Sequence, residues 1–179
     1  MAECGTDAVK LEGGAQVADI LSAIVKAGIP VMAHIGMTLQ FAAQMGGYKS
    51  QGRDAATAYK LIRDAKTLEE AGAFAILLEA IPARVAGLIV KELKIPVYSI
   101  GSGPECDGQL LIVHDILGLF EMFKPKFVKR YAELGEEMVK AFTAYKEDVK
   151  AGRFPQPEHC YNIPEEEFEK LLSLYKNES

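Results

Sequence analysis

Apolar and polar positions along the chain follow two alternating periods, and this alternation predicts strands separated by helices. Short apolar runs predict four strands, at residues 7–12, 30–35, 74–79 and 96–100. Helical patterns lie between them, at residues 15–27, 55–71 and 82–93. Gly28 and Gly72 stand where the first two helices would end, and Pro82 stands at the expected first position of the third. Because strands that alternate with helices form parallel sheets, the pattern predicts an α/β fold, either a small open sheet or half of an eight-stranded barrel.

The second half of the chain has a less regular pattern. Residues 108–119 are ambiguous, and we expect a buried strand at 111–114. A long amphipathic helix is predicted at about 126–150, before a proline-rich turn. An apolar stripe over residues 163–176 predicts a last helix that docks on the body of the protein or on a partner.

Polar residues recur at the carboxyl ends of the predicted strands, where α/β proteins bind ligands. Glu12, His34, Glu79 and the Gly101–Gly103 loop all occupy such positions. Along a strand Lys10 lies on the same face as Glu12, so a cation stands beside a carboxylate. Such a pair could hold an anionic substrate and a divalent ion side by side, or it could be an ordinary surface ion pair.

Two of these residues suggest chemistry by themselves. Glu79 ends an otherwise apolar strand, so we expect its carboxylate to be partly desolvated and therefore a better base. The alternative is a solvated glutamate that begins a loop. His34 could ligate a metal or contact a substrate, although a lone histidine at a strand end is more often structural.

Three further segments have weaker signals. The glycine-rich, basic run 46–53 has the composition of a mobile cover for a site, or of a solvated loop. The run 101–106 lacks the third glycine of a nucleotide loop, so we interpret it as a tight turn whose amides face a ligand. For the neighbouring His114 and Asp115 we favour a packing and capping role over a hydrogen-bonded functional pair.

Composition narrows the class of protein. The 179 residues are 49% hydrophobic and 25% charged, which is typical of one globular domain. A net charge of -5 argues against nucleic-acid binding. The sequence has no apolar run long enough for a membrane span and no signal-peptide pattern at its start. Cys4, Cys106 and Cys160 suggest neither a disulfide framework nor a zinc site, which favours a cytoplasmic location.

Several runs of sequence, in one order, resemble the ketopantoate hydroxymethyltransferase family. The matching runs are 7–14, 46–53, the strand that ends at Glu79, 95–103, 107–115, 124–131 and 154–159. The likeness implies a (β/α)8 TIM barrel, of which this chain covers roughly strands 4 to 8. Residues 1–161 would then be the C-terminal portion of the barrel, and 162–179 an amphipathic helical tail.

The resemblance also implies a reaction. In this family 3-methyl-2-oxobutanoate chelates Mg²⁺, a base removes the proton next to the carbonyl, and the metal stabilises the enolate. The carbanion then takes a one-carbon unit from 5,10-methylenetetrahydrofolate and gives 2-dehydropantoate, in pantothenate biosynthesis. By position, Glu79 corresponds to the base, Lys10 and His34 to substrate contacts, and Glu12 to the magnesium shell. A large homo-oligomer is implied as well.

The sequence departs from the family pattern at three places. Leu39 replaces a usual proline, and Ser102 replaces a usual alanine. The first three barrel strands, with two aspartates that serve the metal and substrate, are absent, which we expect to weaken Mg²⁺ binding. The chain is therefore interpreted as a fragment, as half of a split enzyme with a separate N-terminal half-barrel chain, or as a non-catalytic remnant or scaffold. A related α-keto-acid lyase is a further alternative.

Overall fold

The protein is built around a parallel five-stranded sheet. The computed structural model describes residues 5–38, 50–120 and 122–177, in two compact units that divide between residues 132 and 133. The strands of the first unit are β1 (Val9–Glu12), β2 (Val31–Gly36), β3 (Ala75–Glu79), β4 (Val97–Ile100) and β5 (Gly108–Gln109). They lie side by side in chain order, and every neighbouring pair is parallel.

Helices connect the strands of the first unit. They are α1 (Ala18–Lys26), preceded by a 3-10 turn (Ala15–Val17), then α2 (Ala55–Glu70), α3 (Ala83–Glu92) and the short α4 (Val113–Ile116). Gly28 and Gly72 follow α1 and α2 with positive φ angles of 84° and 103°, so the predicted helix ends are confirmed. The N-terminus of α2 is capped by Asp54, whose Oδ1 accepts from the Thr57 amide at 2.9 Å. The hydrogen bond from the Thr57 hydroxyl lowers the pKa of Asp54.

The two faces of the sheet differ in their side chains: one packs against helices, and the other carries the predicted site residues. Every second strand residue belongs to a core shared with α1, α2 and α3; these strand residues are Val31, Ala33, Ile35, Ile76, Leu78 and Val97. The connecting helices therefore cover one face of a sheet whose strands follow chain order. A doubly wound sheet has helices on both faces, so this winding is that of a stretch of barrel wall. Lys10, Glu12, His34 and Glu79 have the opposite parity and point to the other face.

The predicted strand at 111–114 is wrong. Pairing with β4 begins where the Asp107 amide donates to the Val97 carbonyl, and it ends where Leu110 donates to Ser99. A strand needs a partner for each residue, and β4 ends at Ile100, so the chain leaves the sheet after Leu110. Residues 113–116 form α4 instead, and the apolar side chains at 112 and 113 are exposed.

Two predicted helix starts also need correction. Pro82 is the N-cap of α3, with a ψ angle of 133°, and the helix proper begins at Ala83. The long helix predicted from residue 126 begins only at 134. The segment before residue 134 packs against other parts of the chain and does not form a helix: the Tyr131 amide donates to the Ile116 carbonyl at 2.8 Å, and the Val128 side chain is buried.

The second unit contains two helices, α5 (Leu134–Lys150) and α6 (Glu165–Asn177), with a short 3-10 turn (Pro157–His159) between them. The Phe154 ring packs edge-to-face with Tyr145, at a centroid distance of 5.6 Å, and lies tilted against the His159 ring, at 5.0 Å. The predicted last helix is confirmed, and its docking on another surface stays a prediction. Among the described residues, no helix has the length and apolar character that a bilayer crossing requires.

Candidate active site

All four predicted site residues meet near the carboxyl end of the sheet, on the face that the helices leave open. Glu12 ends β1 and lies in register with His34 of β2. Glu79 ends β3 and lies in register with Gly36, two residues beyond His34. Because parallel strands bring their carboxyl ends to one edge, residues far apart in sequence become neighbours here.

The His34 ring is the centre of this group. Its Nδ1 lies 3.1 Å from Lys10 Nζ and 3.5 Å from Glu12 Oε1, and its Nε2 lies 3.1 Å from Glu79 Oε2. Lys10 Nζ also lies 3.4 Å from Glu12 Oε1. Only 3% of the His34 side chain is exposed, against 45% for Lys10. The ring is thus a buried spacer between an accessible ammonium group and the Glu79 carboxylate.

Lys10 determines which nitrogen of His34 holds the proton. An ammonium group can only donate hydrogen bonds, so the Nδ1 that faces it must accept, with its lone pair. The neutral ring then has its proton on Nε2, on the side of Glu79. That N–H is not aligned with the carboxylate oxygen despite the short distance, so Nε2 lacks a well-formed hydrogen bond. The ring therefore lies beside the Glu79 carboxylate without forming a well-aligned hydrogen bond to its oxygen.

The backbone around Glu79 is held by bonds from three sides. The Glu79 carbonyl accepts from the Met37 amide at 2.9 Å, and the next amide, of Ala80, donates to the Ile100 carbonyl at 3.0 Å. Ala80 has a φ angle of 52°, in the left-handed region that non-glycine residues rarely adopt. Such a conformation persists only where the surrounding structure enforces it, so the contacts around this turn fix the backbone directly after the candidate base.

Ser102 supplies the third restraint, which the sequence gave no reason to expect. Its hydroxyl donates to the Leu78 carbonyl at 2.8 Å and accepts from the Ile81 amide at 3.1 Å. The side chain therefore closes the turn that contains Glu79, from the loop after β4. Only 1% of Ser102 is exposed, so water cannot replace these bonds.

Replacing Ser102 with alanine is expected to loosen this turn. The buried Ile81 amide would lose its acceptor, at a cost of about 1–3 kcal/mol in the free energy of unfolding. Urea unfolding measures that loss, and hydrogen exchange of the Ile81 amide should accelerate. Ser22→Ala, on α1 in the same unit, is the control and should leave that amide unchanged. Equal protection of Ile81 in Ser102→Ala and the parent would contradict the assigned role.

Other segments that the sequence singled out do not join this cluster. In the Gly101–Gly103 loop, the Ser102 amide is engaged by Ser99 Oγ at 2.9 Å, so it does not face a ligand. His114 and Asp115 form neither a mutual hydrogen bond nor a side-chain cap on α4 in the described part of the chain. Of the predicted cover 46–53, residues 46–49 lie outside the described residues.

The two cysteines in the described range are both free, and neither contacts the cluster. Burial raises the pKa of the Cys106 thiol, and the nearby Asp107 carboxylate acts in the same direction. Because the thiolate is the reactive form, this shift lowers the reactivity of the Cys106 thiol. Cys160 is exposed in the second unit, and Cys4 lies outside the described residues.

The cluster around His34 does not provide the full set of ligands that a magnesium ion requires. Mg²⁺ requires oxygen donors in near-ideal octahedral geometry. Glu12 offers one carboxylate, but the Lys10 ammonium and the His34 ring occupy its immediate surroundings. Over residues 5–38, 50–120 and 122–177, no group of three or more His, Cys, Asp or Glu residues has an arrangement that could hold a metal ion. The described residues alone therefore do not fit a magnesium centre.

Comparison with known proteins identifies the family to which the chain is similar. Residues 1–157 match the family described as ketopantoate hydroxymethyltransferase. A 3-methyl-2-oxobutanoate hydroxymethyltransferase of Enterococcus faecalis is 56% identical over 163 residues, which are 91% of this chain and 59% of the relative. The protein of that name in Oleidesulfovibrio alaskensis is also 56% identical, over 92% of this chain and 57% of the relative.

A third protein of the same name, from Syntrophobacter fumaroxidans, is 51% identical over 172 residues. That match covers 96% of this chain and 61% of the relative. The chain therefore spans about three fifths of the length of the curated relatives that it matches. With more than half of its residues matched by the family and by these relatives, the chain belongs to the ketopantoate hydroxymethyltransferase family.

Proposed function

We propose that this chain supplies the base and the substrate-binding residues for hydroxymethyl transfer to 3-methyl-2-oxobutanoate, which gives 2-dehydropantoate. The observation that carries the proposal is the buried His34 ring, with the Lys10 ammonium at one nitrogen and the Glu79 carboxylate at the other. A cation and a base are thus held apart at a fixed spacing on one face of the sheet. An α-keto acid needs that combination, since its carboxylate must be bound while a proton is removed elsewhere in the molecule.

The chemistry can be followed through the residues of this chain. Lys10, with nearly half of its side chain exposed, binds the substrate carboxylate. A Glu79 oxygen takes the proton from C3, and the electron pair of that C–H bond forms the enolate. Water adds to the methylene carbon of 5,10-methylenetetrahydrofolate and both of its C–N bonds break, which releases tetrahydrofolate and leaves the carbon as formaldehyde. C3 bonds to that carbon, the C=O electron pair goes to the oxygen, and the resulting alkoxide takes the proton back from Glu79.

His34 contacts both residues that act in this scheme, Lys10 and Glu79. Its Nε2 lies 3.1 Å from the Glu79 carboxylate, and its Nδ1 lies 3.1 Å from the Lys10 ammonium group and orients it. A direct contact between His34 and the substrate, implied by the family likeness, stays a prediction. Glu12 is the residue of this chain that we assign to the magnesium shell, and the other ligands would come from outside the described residues.

The sheet supports a proposal for the complete fold. Strands in chain order, with the connecting helices on one face, are what an arc of a (β/α)8 barrel requires. We assign β1–β5 to barrel strands 4 to 8, residues 1–161 to the barrel and residues 162–179 to a helical tail. The exposed edge of β1 would pair with strands of an N-terminal half barrel, in a cytoplasmic homo-oligomer.

Proton exchange tests the proposed function. Loss of the C3 proton of 3-methyl-2-oxobutanoate in D₂O with Mg²⁺ is followed by NMR, for this chain alone and after mixing with the N-terminal half of the Enterococcus faecalis relative. We expect exchange on mixing, because Lys10 and Glu79 then face a complete site. Lys10→Met should raise the substrate concentration needed for half-maximal exchange, since the carboxylate contact is lost.

The outcomes separate the alternatives. No exchange in either sample of folded protein would overturn the enzymatic proposal and favour a scaffold. Exchange with no 2-dehydropantoate formed on addition of 5,10-methylenetetrahydrofolate would favour an α-keto-acid lyase. Exchange followed by 2-dehydropantoate formation supports the proposal as stated.

A further inference from the structure

Asp64 is a buried carboxylate that takes no part in the proposed reaction. It lies in α2 with the core residues Leu61, Ala65 and Leu68, and only 6% of it is exposed. Lys60, one turn earlier on the helix, places its Nζ 2.6 Å from Asp64 Oδ2, and the Lys60 side chain is 67% exposed. Burying a carboxylate costs free energy, and a solvent-exposed lysine on the same helix stabilises it only weakly. The burial of Asp64 therefore needs another explanation.

The Asp64 carboxylate packs directly against the backbone of Gly14. A Cβ added to Gly14 would collide with Asp64 Oδ2 and Cγ. The φ angle of Gly14 is -86°, so no left-handed backbone conformation requires a glycine at this position. The Asp64 carboxylate is thus the nearest obstacle to a side chain at position 14.

Gly14 belongs to the turn by which the chain leaves the candidate active site. Glu12 is the last residue of β1, and the Gly13 amide donates to the His34 carbonyl at 3.0 Å. Within the described residues β1 has a neighbouring strand on one edge only, and its four residues are half-buried or exposed. The end of β1 is therefore held by β2 on one side and by Asp64, through Gly14, from α2.

A cavity of about 320 Å³ lies beside this contact. Gly13, Gly14 and Asp64 line it, together with polar side chains that include Gln16 and Thr57. Removing the Asp64 carboxylate would enlarge the cavity on the side of the turn, and residues around an enlarged cavity relax partly into it. Because glycines have the greatest backbone freedom, the turn is the part of the lining most able to shift.

We propose that Asp64 is a positioning residue, which fixes the turn at Gly13 and Gly14 and thereby holds Lys10 in contact with His34. This assignment rests on the proposed function, in which Lys10 binds the substrate carboxylate. Asp64 acts from α2, which packs on the helix-covered face of the sheet, so its effect reaches the open face through the backbone of β1. The shape of the side chain against Gly14 is what matters, and not its charge.

Nitrogen-15 NMR of the His34 ring tests the proposal on the chain alone. The Nδ1 lone pair accepts from the Lys10 ammonium group, and loss of that donor changes the Nδ1 chemical shift. We expect Asp64→Ala to move the Nδ1 signal towards that of Lys10→Met, in which the donor is absent. Asp64→Asn should resemble the parent, because asparagine has the same shape and its amide oxygen can still accept from Lys60.

A double variant tests the contact itself. Gly14→Ala should lower the urea midpoint, because its Cβ collides with Asp64, and should displace the turn and move the same Nδ1 signal. In the Asp64→Ala background that obstacle is absent, so the same glycine change should lower the midpoint by about half as much or less. Equal losses in the two backgrounds would contradict the contact. Gly14→Ala also provides the ring measurement if Asp64→Ala does not fold.

Glu70→Ala is the matched control, since Glu70 is an exposed carboxylate on the same helix. It should leave the Nδ1 signal and the urea midpoint unchanged. In the sample mixed with the N-terminal half, Asp64→Ala should raise the substrate concentration for half-maximal C3 proton exchange about fivefold, as for one weakened contact. The maximal rate should change less than about twofold, because the bonds around Glu79 come from Met37, Ile100 and Ser102.

The ring signal and the exchange assay decide different questions. An unchanged Nδ1 signal in folded Asp64→Ala, even with a lower urea midpoint, would overturn the positioning role. So would an equal change in Glu70→Ala, or a signal in Asp64→Asn that matches Asp64→Ala. Absence of exchange in the parent overturns only the proposed reaction, because the ring signal is measured without substrate and still shows whether Asp64 holds Lys10 in place.

Discussion

Replacing Glu79 with glutamine is expected to reduce C3 proton exchange by about 100-fold or more in the mixed sample, since a general base contributes roughly that factor. Glutamine has the same shape but cannot accept the proton. The backbone bonds at Glu79, to Met37 and through Ala80 to Ile100, do not involve the side chain and should persist. NMR in D₂O measures the rate, and unchanged urea unfolding would show that the loss is chemical.

Glu92→Gln is the control for this variant. Glu92 ends α3 at the surface, where Lys66 Nζ lies 2.7 Å from its carboxylate and lowers its pKa, first through the hydrogen bond and then through charge. It is remote from the open face of the sheet, so exchange should stay within about twofold of the parent, as expected for a surface change. Retained exchange in Glu79→Gln, or an equal loss in Glu92→Gln, would remove Glu79 from the role of base.

The elements that the sequence predicts correctly are those whose signals lie within a few neighbouring residues. The strands ending at Glu12, Gly36, Glu79 and Ile100 were predicted within one or two residues, because apolar runs and helix-ending glycines act over a few positions. The segment near residue 112 failed because an apolar run becomes a strand only where a neighbouring strand offers partners. β4 forms backbone hydrogen bonds with this segment only as far as the Leu110 amide, which donates to Ser99. The neighbouring strand, and not the local sequence, sets that limit.

The grouping of the site could also be predicted, but its internal organisation could not. The polar strand ends at Glu12, His34 and Glu79 identified the edge of the sheet, since parallel strands share that edge. The contact of Lys10 with His34 joins residues 24 positions apart, and the Ser102 bonds to the Glu79 turn span 24 and 21 positions. No local pattern encodes such contacts. Ser102 could be noticed only as a departure from a usual alanine, with no indication of its partners.

Gly36 is the residue whose substitution should damage both the fold and the site. It lies in register with Glu79, and a Cβ added to it would collide with the Glu79 carbonyl oxygen and contact Ile81. Its φ angle of 99° is also unfavourable for any other residue. We expect Gly36→Ala to lower the free energy of unfolding by roughly 3 kcal/mol or more, from the collision and the backbone strain together. Urea unfolding measures this loss.

Gly28→Ala separates the two causes of that loss. Gly28 has a comparable φ angle of 84°, but an added Cβ there would meet no atom within 4 Å, so only backbone strain applies. Its cost should be about 1 kcal/mol, and exchange should be preserved. Gly36→Ala must also displace the Glu79 carbonyl and its bond from Met37, and a shift of about 1 Å in a reacting group can cost about 100-fold in rate. If both variants lose equal stability and both retain exchange, Gly36 acts only through its backbone angle, and the close approach of β2 to Glu79 has no part in positioning the base.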